Sequence, residues 1–139
     1  MSLIKSISGF RGTIGGKPGD NLTPIDAVKF AAAYGTWLKN QSEKSEYKVI
    51  IGRDARISGQ MVSQLVCSTL QGLGINVVDL GLSTTPTVEV MVTHLHADGG
   101  IILTASHNPK QWNALKLLDA KGEFVSAEDG AQILAFVDK

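Results

Sequence analysis

The chain has 139 residues, with 13 Lys and Arg against 13 Asp and Glu, 43% hydrophobic residues and one cysteine, which is typical of a single globular domain. Because the formal net charge is zero and no run of Lys and Arg occurs, the sequence argues against binding to nucleic acid or to an anionic membrane surface. Its apolar runs, such as Val49-Ile50-Ile51, fall far short of the roughly 18 residues that a membrane-spanning helix needs.

The N-terminal residues 1–5 show no basic region followed by an apolar region and a cleavage site, so we expect no secretory signal. Cys67 has no cysteine in the chain to pair with, which excludes an internal disulfide framework. A lone cysteine also suits a reducing compartment. The sequence therefore predicts a cytoplasmic protein.

The first predicted helix begins at Thr23, a hydroxyl N-cap that is followed by Pro24 and by an acid in the first turn. Helical spacing of its apolar residues extends to about Asn40. A strand rich in β-branched residues follows at 48–53. Ser58 is then a suitable N-cap for a second helix, which a pair of glycines is expected to end.

The remaining predicted elements continue the alternation of strand and helix. They are a strand at 75–79, a helix from Thr85 to about His94, a buried strand at 100–103, a last strand at 114–118 and a closing helix at 127–137. Strands that alternate with helices indicate a sheet covered on both faces. We predict an α/β fold, a three-layer αβα domain with a mixed, mainly parallel sheet, and functional groups in the loops at the carboxyl ends of its strands.

One of these loops carries unusual chemistry. Residues 104–109 read Thr-Ala-Ser-His-Asn-Pro, so the chain leaves a buried strand and turns at once through Asn-Pro. Ser106 is a hydroxyl nucleophile with a titratable neighbour, and Asn113 and Lys116 follow it. The plainer interpretation is a polar turn in which Ser106 and Asn108 cap backbone groups. A Ser-His-Asp hydrolase is disfavoured because adjacent Ser and His side chains rarely converge and the Gly-x-Ser-x-Gly elbow is missing.

Two other polar groups could also be sites. Arg53, Asp54 and Arg56 could contact a phosphate, but an Asp between two Arg at a strand end is more often a salt-bridged turn that orders its loop. His94 and His96 stand two residues apart, which does not place them on one helix face, and a third ligand is missing nearby. A surface helix end is therefore favoured over a metal site.

Residues 104–109, called the serine loop below, resemble the phosphoserine loop of the α-D-phosphohexomutases, with Asn113 and Lys116 at matching distances after it. This family includes phosphomannomutase/phosphoglucomutase and phosphoglucosamine mutase. Residues 8–13, Ser-Gly-Phe-Arg-Gly-Thr, resemble that family's N-terminal loop with its Arg-Gly pair. Residues 52–59 resemble its Gly-Arg-Asp-x-Arg-x-Ser-Gly segment. The resemblance covers nearly the whole chain, but only the first of the family's four domains.

The resemblance implies a role for each matching residue. Ser106 would carry a phosphoryl group and pass it to a hydroxyl of a sugar monophosphate. The sugar 1,6-bisphosphate would then return its other phosphate to the serine. Arg11 would contact the phosphate of Ser106, Lys116 would serve as a general acid/base or charge stabiliser, and His107 would orient or protonate the transferred group. Arg11, Asn113 and Lys116 would bind the substrate, a hexose phosphate.

Mg²⁺ is implied as well, bound by the phosphate oxygen on Ser106 and by an Asp-rich loop of the family's second domain. An Asp-x-Asp-x-Asp spacing does not occur in this sequence. We therefore expect a phosphoryl-carrier domain that depends on the missing domains of the same enzyme and is inactive alone. The alternative is a non-catalytic domain that keeps the loop and binds a phosphorylated ligand or a partner domain without turnover. Whether the sugar is glucosamine, mannose or glucose phosphate stays open.

Overall fold

The computed structural model describes residues 4–6, 9–13, 23–55, 59–104 and 112–137, with side chains at 23–55, 59–104 and 115–137. The strands are β1 (Ile4–Ser6), β2 (Gly9–Thr13), β3 (Tyr47–Arg53), β4 (Ile75–Leu82), β5 (Gly99–Leu103) and β6 (Trp112–Leu118). The helices are α1 (Pro24–Gln41), α2 (Gly59–Gly72), α3 (Thr85–His94) and α4 (Ala127–Val137). Across this part of the chain, each helix is too short or too polar to cross a membrane.

The six strands form one mixed sheet in the order β1-β2-β6-β5-β3-β4. β3 pairs in parallel with β4 and with β5, whereas β5 with β6, β6 with β2 and β2 with β1 are antiparallel pairs. Strands β2, β3, β4 and β5 therefore run in the same direction, and only in this sense is the sheet mainly parallel. Among neighbouring pairs, antiparallel pairing predominates.

Helices cover both faces of the sheet, which confirms the predicted three layers. One core joins α1, α2 and α4 to the sheet and contains Tyr34, Val66 and Ile133. The other lies beneath α3 and contains Val88 and Val92. Strand residues alternate between the two cores, as a period of two requires. The first core takes Ile51, Ile101, Leu103, Leu115 and Leu117, and the second takes Ile50, Ile102 and Leu118.

The start of α1 follows directly from its sequence. Thr23 is the N-cap, and its side-chain oxygen accepts a hydrogen bond from the Asp26 backbone N–H at 3.3 Å. The Asp26 carboxylate accepts in return from the Thr23 N–H at 3.1 Å, which completes a capping box. The predicted start of this helix is confirmed, and its last residue lies one position beyond the predicted end.

Residues 9–13 form a strand, so the prediction that Arg11 lies in a loop is wrong. These residues are β2, which pairs with β1 on one side and β6 on the other. Glycines at two of the five positions lower the strand propensity of this segment. Pairing with β6, about a hundred residues further along the chain, overrides that local preference.

Tyr34 connects α1 to the two strands that flank the serine loop. Its fully buried hydroxyl donates to the Leu118 carbonyl at 2.6 Å and lies 3.3 Å from the Gly100 carbonyl. Burial raises the pKa of the Tyr34 phenol far above its usual value, so the phenol stays a donor. A Cβ atom on Gly99 would lie 2.0 Å from this hydroxyl. Only glycine leaves room for the tyrosine here.

Gly99→Ala is therefore expected to destabilise the domain by about 3 kcal/mol, since it combines overpacking with loss of a buried hydrogen bond. Urea unfolding measures the change. Gly72→Ala is the matched control, because a Cβ at that helical position would meet no atom within 4 Å. It should be neutral or slightly stabilising. Equal stability of the two variants would show that Tyr34 does not need the space at Gly99.

Candidate functional site

The carboxyl ends of β3, β4 and β5 lie along one edge of the sheet, and backbone hydrogen bonds continue past the strand ends. The Asp54 N–H donates to the Leu103 carbonyl at 3.1 Å, and the Ser83 N–H donates to the Arg53 carbonyl at 2.9 Å. These bonds tie together the chain segments that leave the three parallel strands. The serine loop thus begins from a fixed point, at the edge where α/β folds place their ligands.

A side-chain hydrogen bond strengthens this point. The Thr104 hydroxyl donates to Oδ2 of Asp54 at 2.6 Å, and Thr104 is only 7% exposed. Thr104 is the first residue after β5, and Asp54 is the first residue after β3. Because Ser106 comes two residues after Thr104, the anchor lies at the root of the serine loop.

The register of the sheet brings Arg11 and Lys116 close together, although they are far apart in sequence. Lys116 pairs with Gly9 on β2, and Arg11 pairs with Ala114 on β6. Arg11 is therefore the diagonal neighbour of Lys116, at a backbone distance of about 7–8 Å. Leu115 pairs with both Phe10 and Leu103. Arg11 follows Phe10 and Thr104 follows Leu103, so the two residues lie at the same position along the strand direction.

Lys116 lies on the face of the sheet that α3 covers. It pairs with Ile102, and Ile102 and Leu118 both belong to the core beneath α3. Side chains on one strand alternate between faces, so the half-buried Lys116 shares this side. A half-buried ammonium group is screened by water less than an exposed one, which strengthens its attraction for an anion.

The structure places the residues predicted as sites as follows. Ser106 and His107 lie outside the described residues, so their roles stay predictions. Arg11 is in β2 and Asn113 is in β6, and their side chains also lie outside the described part. Lys116 is in β6, with its side chain described. The sheet thus brings together the backbones of the predicted cationic and amide residues.

Sequence reasoning missed the contact between Asp54 and Thr104. The sequence analysis interpreted Asp54 as part of a salt-bridged turn with Arg53 and Arg56. Arg56 lies outside the described residues. The Nη1 atom of Arg53 donates to the Asp54 backbone carbonyl at 3.5 Å. The contact could have been predicted only from the strand order, because Asp54 and Thr104 directly follow two parallel strands that pair with each other.

The sequence interpretation of the histidines agrees with the structure. His94 is the last residue of α3, His96 follows two residues later, and both are exposed. Among the side chains that the structure describes, no three His, Cys, Asp or Glu residues come together to hold a metal ion.

Comparison with known proteins gives a consistent picture. The family model described as phosphoglucomutase/phosphomannomutase, alpha/beta/alpha domain I, matches residues 3–139. A phosphoglucomutase/phosphomannomutase of Thermococcus kodakarensis is 40% identical over 113 residues, which are 80% of this chain and 25% of the relative. A phosphoglucosamine mutase of Pediococcus pentosaceus is 38% identical over 120 residues, 86% of this chain and 26% of the relative.

A solved structure supports the same relationship. The crystal structure of a Thermus thermophilus protein described as a phosphomannomutase superposes on this chain with a TM-score of 0.86 at 34% sequence identity. The match covers 99% of this chain and 30% of that protein. The chain spans about a quarter of the length of the curated relatives that it matches. It belongs to the phosphoglucomutase/phosphomannomutase family of α-D-phosphohexomutases, in which it corresponds to the N-terminal α/β/α domain I.

Proposed function

We propose that this chain is the phosphoryl-carrier domain of a phosphohexomutase, an isomerase that interconverts hexose 1-phosphates and 6-phosphates by intramolecular phosphotransfer. Family membership supports the reaction class. The observation that carries the proposal is the partly buried Thr104–Asp54 hydrogen bond, which anchors the root of the serine loop. Arg11 lies at the same position along the strand direction as Thr104, and Lys116 lies on β6, the strand next to β2.

In the proposed reaction, Ser106 carries the phosphoryl group. A hydroxyl oxygen of the sugar monophosphate attacks the phosphorus atom, so that a new P–O bond forms while the bond between phosphorus and the serine Oγ breaks. The sugar hydroxyl gives up its proton, and the serine oxygen gains one. The resulting sugar 1,6-bisphosphate returns its other phosphate to Ser106 by the reverse step, which regenerates the phosphoenzyme and releases the isomer.

The two cationic residues proposed for the site suit this chemistry. A phosphoserine carries about −1.5 to −2 charges and has three acceptor oxygens. Arg11 would bind these oxygens with its planar guanidinium group, and Lys116 would stabilise the transferred group or exchange its proton. His107 would orient or protonate the same group, and Asn113 would contribute a neutral donor to substrate binding. Both cations belong to strands of one sheet, so their backbones are held rigidly.

Mg²⁺ would neutralise charge on the transferred phosphate, and this chain would contribute one ligand, a phosphate oxygen on Ser106. The other ligands would come from another domain of the same enzyme, as would the groups that choose the sugar. A cytoplasmic location is part of the proposal, since the one cysteine in these 139 residues suits a reducing compartment. Its partners would be a hexose phosphate and the other domains of the enzyme.

Intact mass spectrometry tests the proposal on the enzyme that contains this domain. We expect a fraction heavier by one phosphoryl group, and incubation with excess hexose monophosphate should discharge it. The 139-residue chain alone should show no mutase turnover, because it spans about a quarter of the length of its relatives and the groups that choose the sugar are proposed to lie in other domains. A full-length enzyme that binds a hexose phosphate but shows neither the heavier species nor turnover would support the non-catalytic alternative.

A further inference from the structure

Two hydrogen bonds join the residues that follow β3 and β5. The Asp54 backbone N–H donates across to the Leu103 carbonyl at 3.1 Å, and the Thr104 hydroxyl donates back to the Asp54 carboxylate at 2.6 Å. The two bonds run in opposite directions between adjacent strands. Asp54 is thereby held by both its backbone and its side chain, and it holds Thr104 in turn.

The side-chain bond has the properties of a strong one. It joins a hydroxyl to a carboxylate and it is short, and of its two partners Thr104 is only 7% exposed while Asp54 is half-buried. Hydrogen bonds to ionised acceptors are stronger than neutral ones, and exclusion of water strengthens them further. Thr104 is therefore tightly held at the point where the serine loop begins.

This bond also determines what the threonine hydroxyl can offer to the loop. A hydroxyl has one hydrogen, and Thr104 directs it to Asp54. Toward any other group, the hydroxyl oxygen can therefore act only as an acceptor. Asp54 thus fixes both the position and the donor-acceptor polarity of the threonine at the loop's root.

We propose that Asp54 is a positioning residue that acts through Thr104 to set the direction in which the chain leaves β5, and hence the place of the Ser106 hydroxyl relative to Lys116. This inference rests on the proposed phosphoserine function. Positioning of this kind affects the rate of phosphoryl transfer more than the binding of the sugar, because small misplacements of reacting groups are costly in rate.

Thr104→Val in the enzyme that contains this domain tests the inference, since it keeps the shape and removes the hydroxyl. We expect kcat to fall about 10- to 100-fold while KM for the hexose phosphate stays within about twofold. Thr104→Ser keeps the hydroxyl and should restore most of kcat. Thr36→Val is the matched control, because it removes a hydroxyl that donates to the Ala32 carbonyl inside α1. The Thr36→Val enzyme should keep full kcat.

A double variant separates action through Thr104 from other effects of the carboxylate. Adding Thr104→Val to Asp54→Ala should cause no further loss of kcat, because the same interaction is already gone. If Thr104→Val fails to fold, Asp54→Asn carries the test, since it preserves volume and should lower kcat several-fold without raising KM. Multiplying losses in the double variant would contradict action of Asp54 through Thr104.

The remaining outcomes separate this inference from the function on which it rests. Unchanged kcat in Thr104→Val, or a Thr104→Ser enzyme as impaired as Thr104→Val, would overturn the positioning role if intact mass still shows phosphorylated wild-type enzyme. Lack of any phosphorylated species in the wild-type enzyme would instead refute the phosphoserine function itself.

Discussion

Replacing Ser106 by alanine is expected to leave the domain folded and to remove nearly all mutase activity from the full-length enzyme. Loss of a turn hydroxyl normally changes the free energy of unfolding by under about 1 kcal/mol, so the melting temperature should barely move. Activity should vanish because no covalent carrier remains for the phosphoryl group. Thermal melting and a coupled turnover assay measure the two effects on the same preparation.

A second serine at the same edge of the sheet provides the control for this variant. Ser83 follows β4, and its backbone N–H donates to the Arg53 carbonyl, a bond that alanine would keep. Ser83→Ala should therefore retain both fold and turnover. Substantial turnover by the Ser106→Ala enzyme would show that Ser106 is not the carrier.

Lys116→Met is expected to lower kcat by about 10²-fold or more. Methionine preserves the length and apolar stem of the lysine but removes its charge and its proton, and proton transfer and charge stabilisation are each worth about that factor. Lys116 is half-buried and lies diagonally opposite Arg11 in the sheet, which suits it to act on an anion at this edge.

Steady-state kinetics of the full-length variant measure this effect. Lys121→Met is the matched control, because Lys121 is exposed in the turn that follows β6 and should not affect turnover. A Lys116→Met enzyme with kcat within about twofold of the wild type would remove Lys116 from the site.

Local signals explain which elements the sequence predicts well. The capping box of Thr23 and Asp26 and the proline after the cap define the start of α1 within the segment itself. β4 extends to Leu82, three residues beyond its predicted end, because it continues to pair with the long β3 past a register shift. Pairing between strands is a tertiary effect, and it does not show in the composition of either strand.

The candidate site shows the same division. For the serine loop, the sequence predicts a buried strand followed by a sharp turn; the strand is confirmed as β5, and the turn lies outside the described residues. The diagonal placement of Arg11 and Lys116 depends on the pairing of β2 with β6, which no local pattern in residues 9–13 predicts. The bond from Thr104 to Asp54 depends likewise on the adjacency of β3 and β5. Sequence reasoning therefore supplies the chemistry of the site, while the sheet register supplies its geometry.

Mapping the phosphorylated residue tests whether Ser106 is the phosphoryl carrier. The wild-type full-length enzyme is incubated with a sugar 1,6-bisphosphate carrying labelled phosphate, digested, and its labelled peptide is sequenced. Label should fall on the peptide containing residues 104–109, at Ser106. Label at another residue, such as Ser58 or Ser83, or unlabelled protein that still turns over substrate, would contradict it.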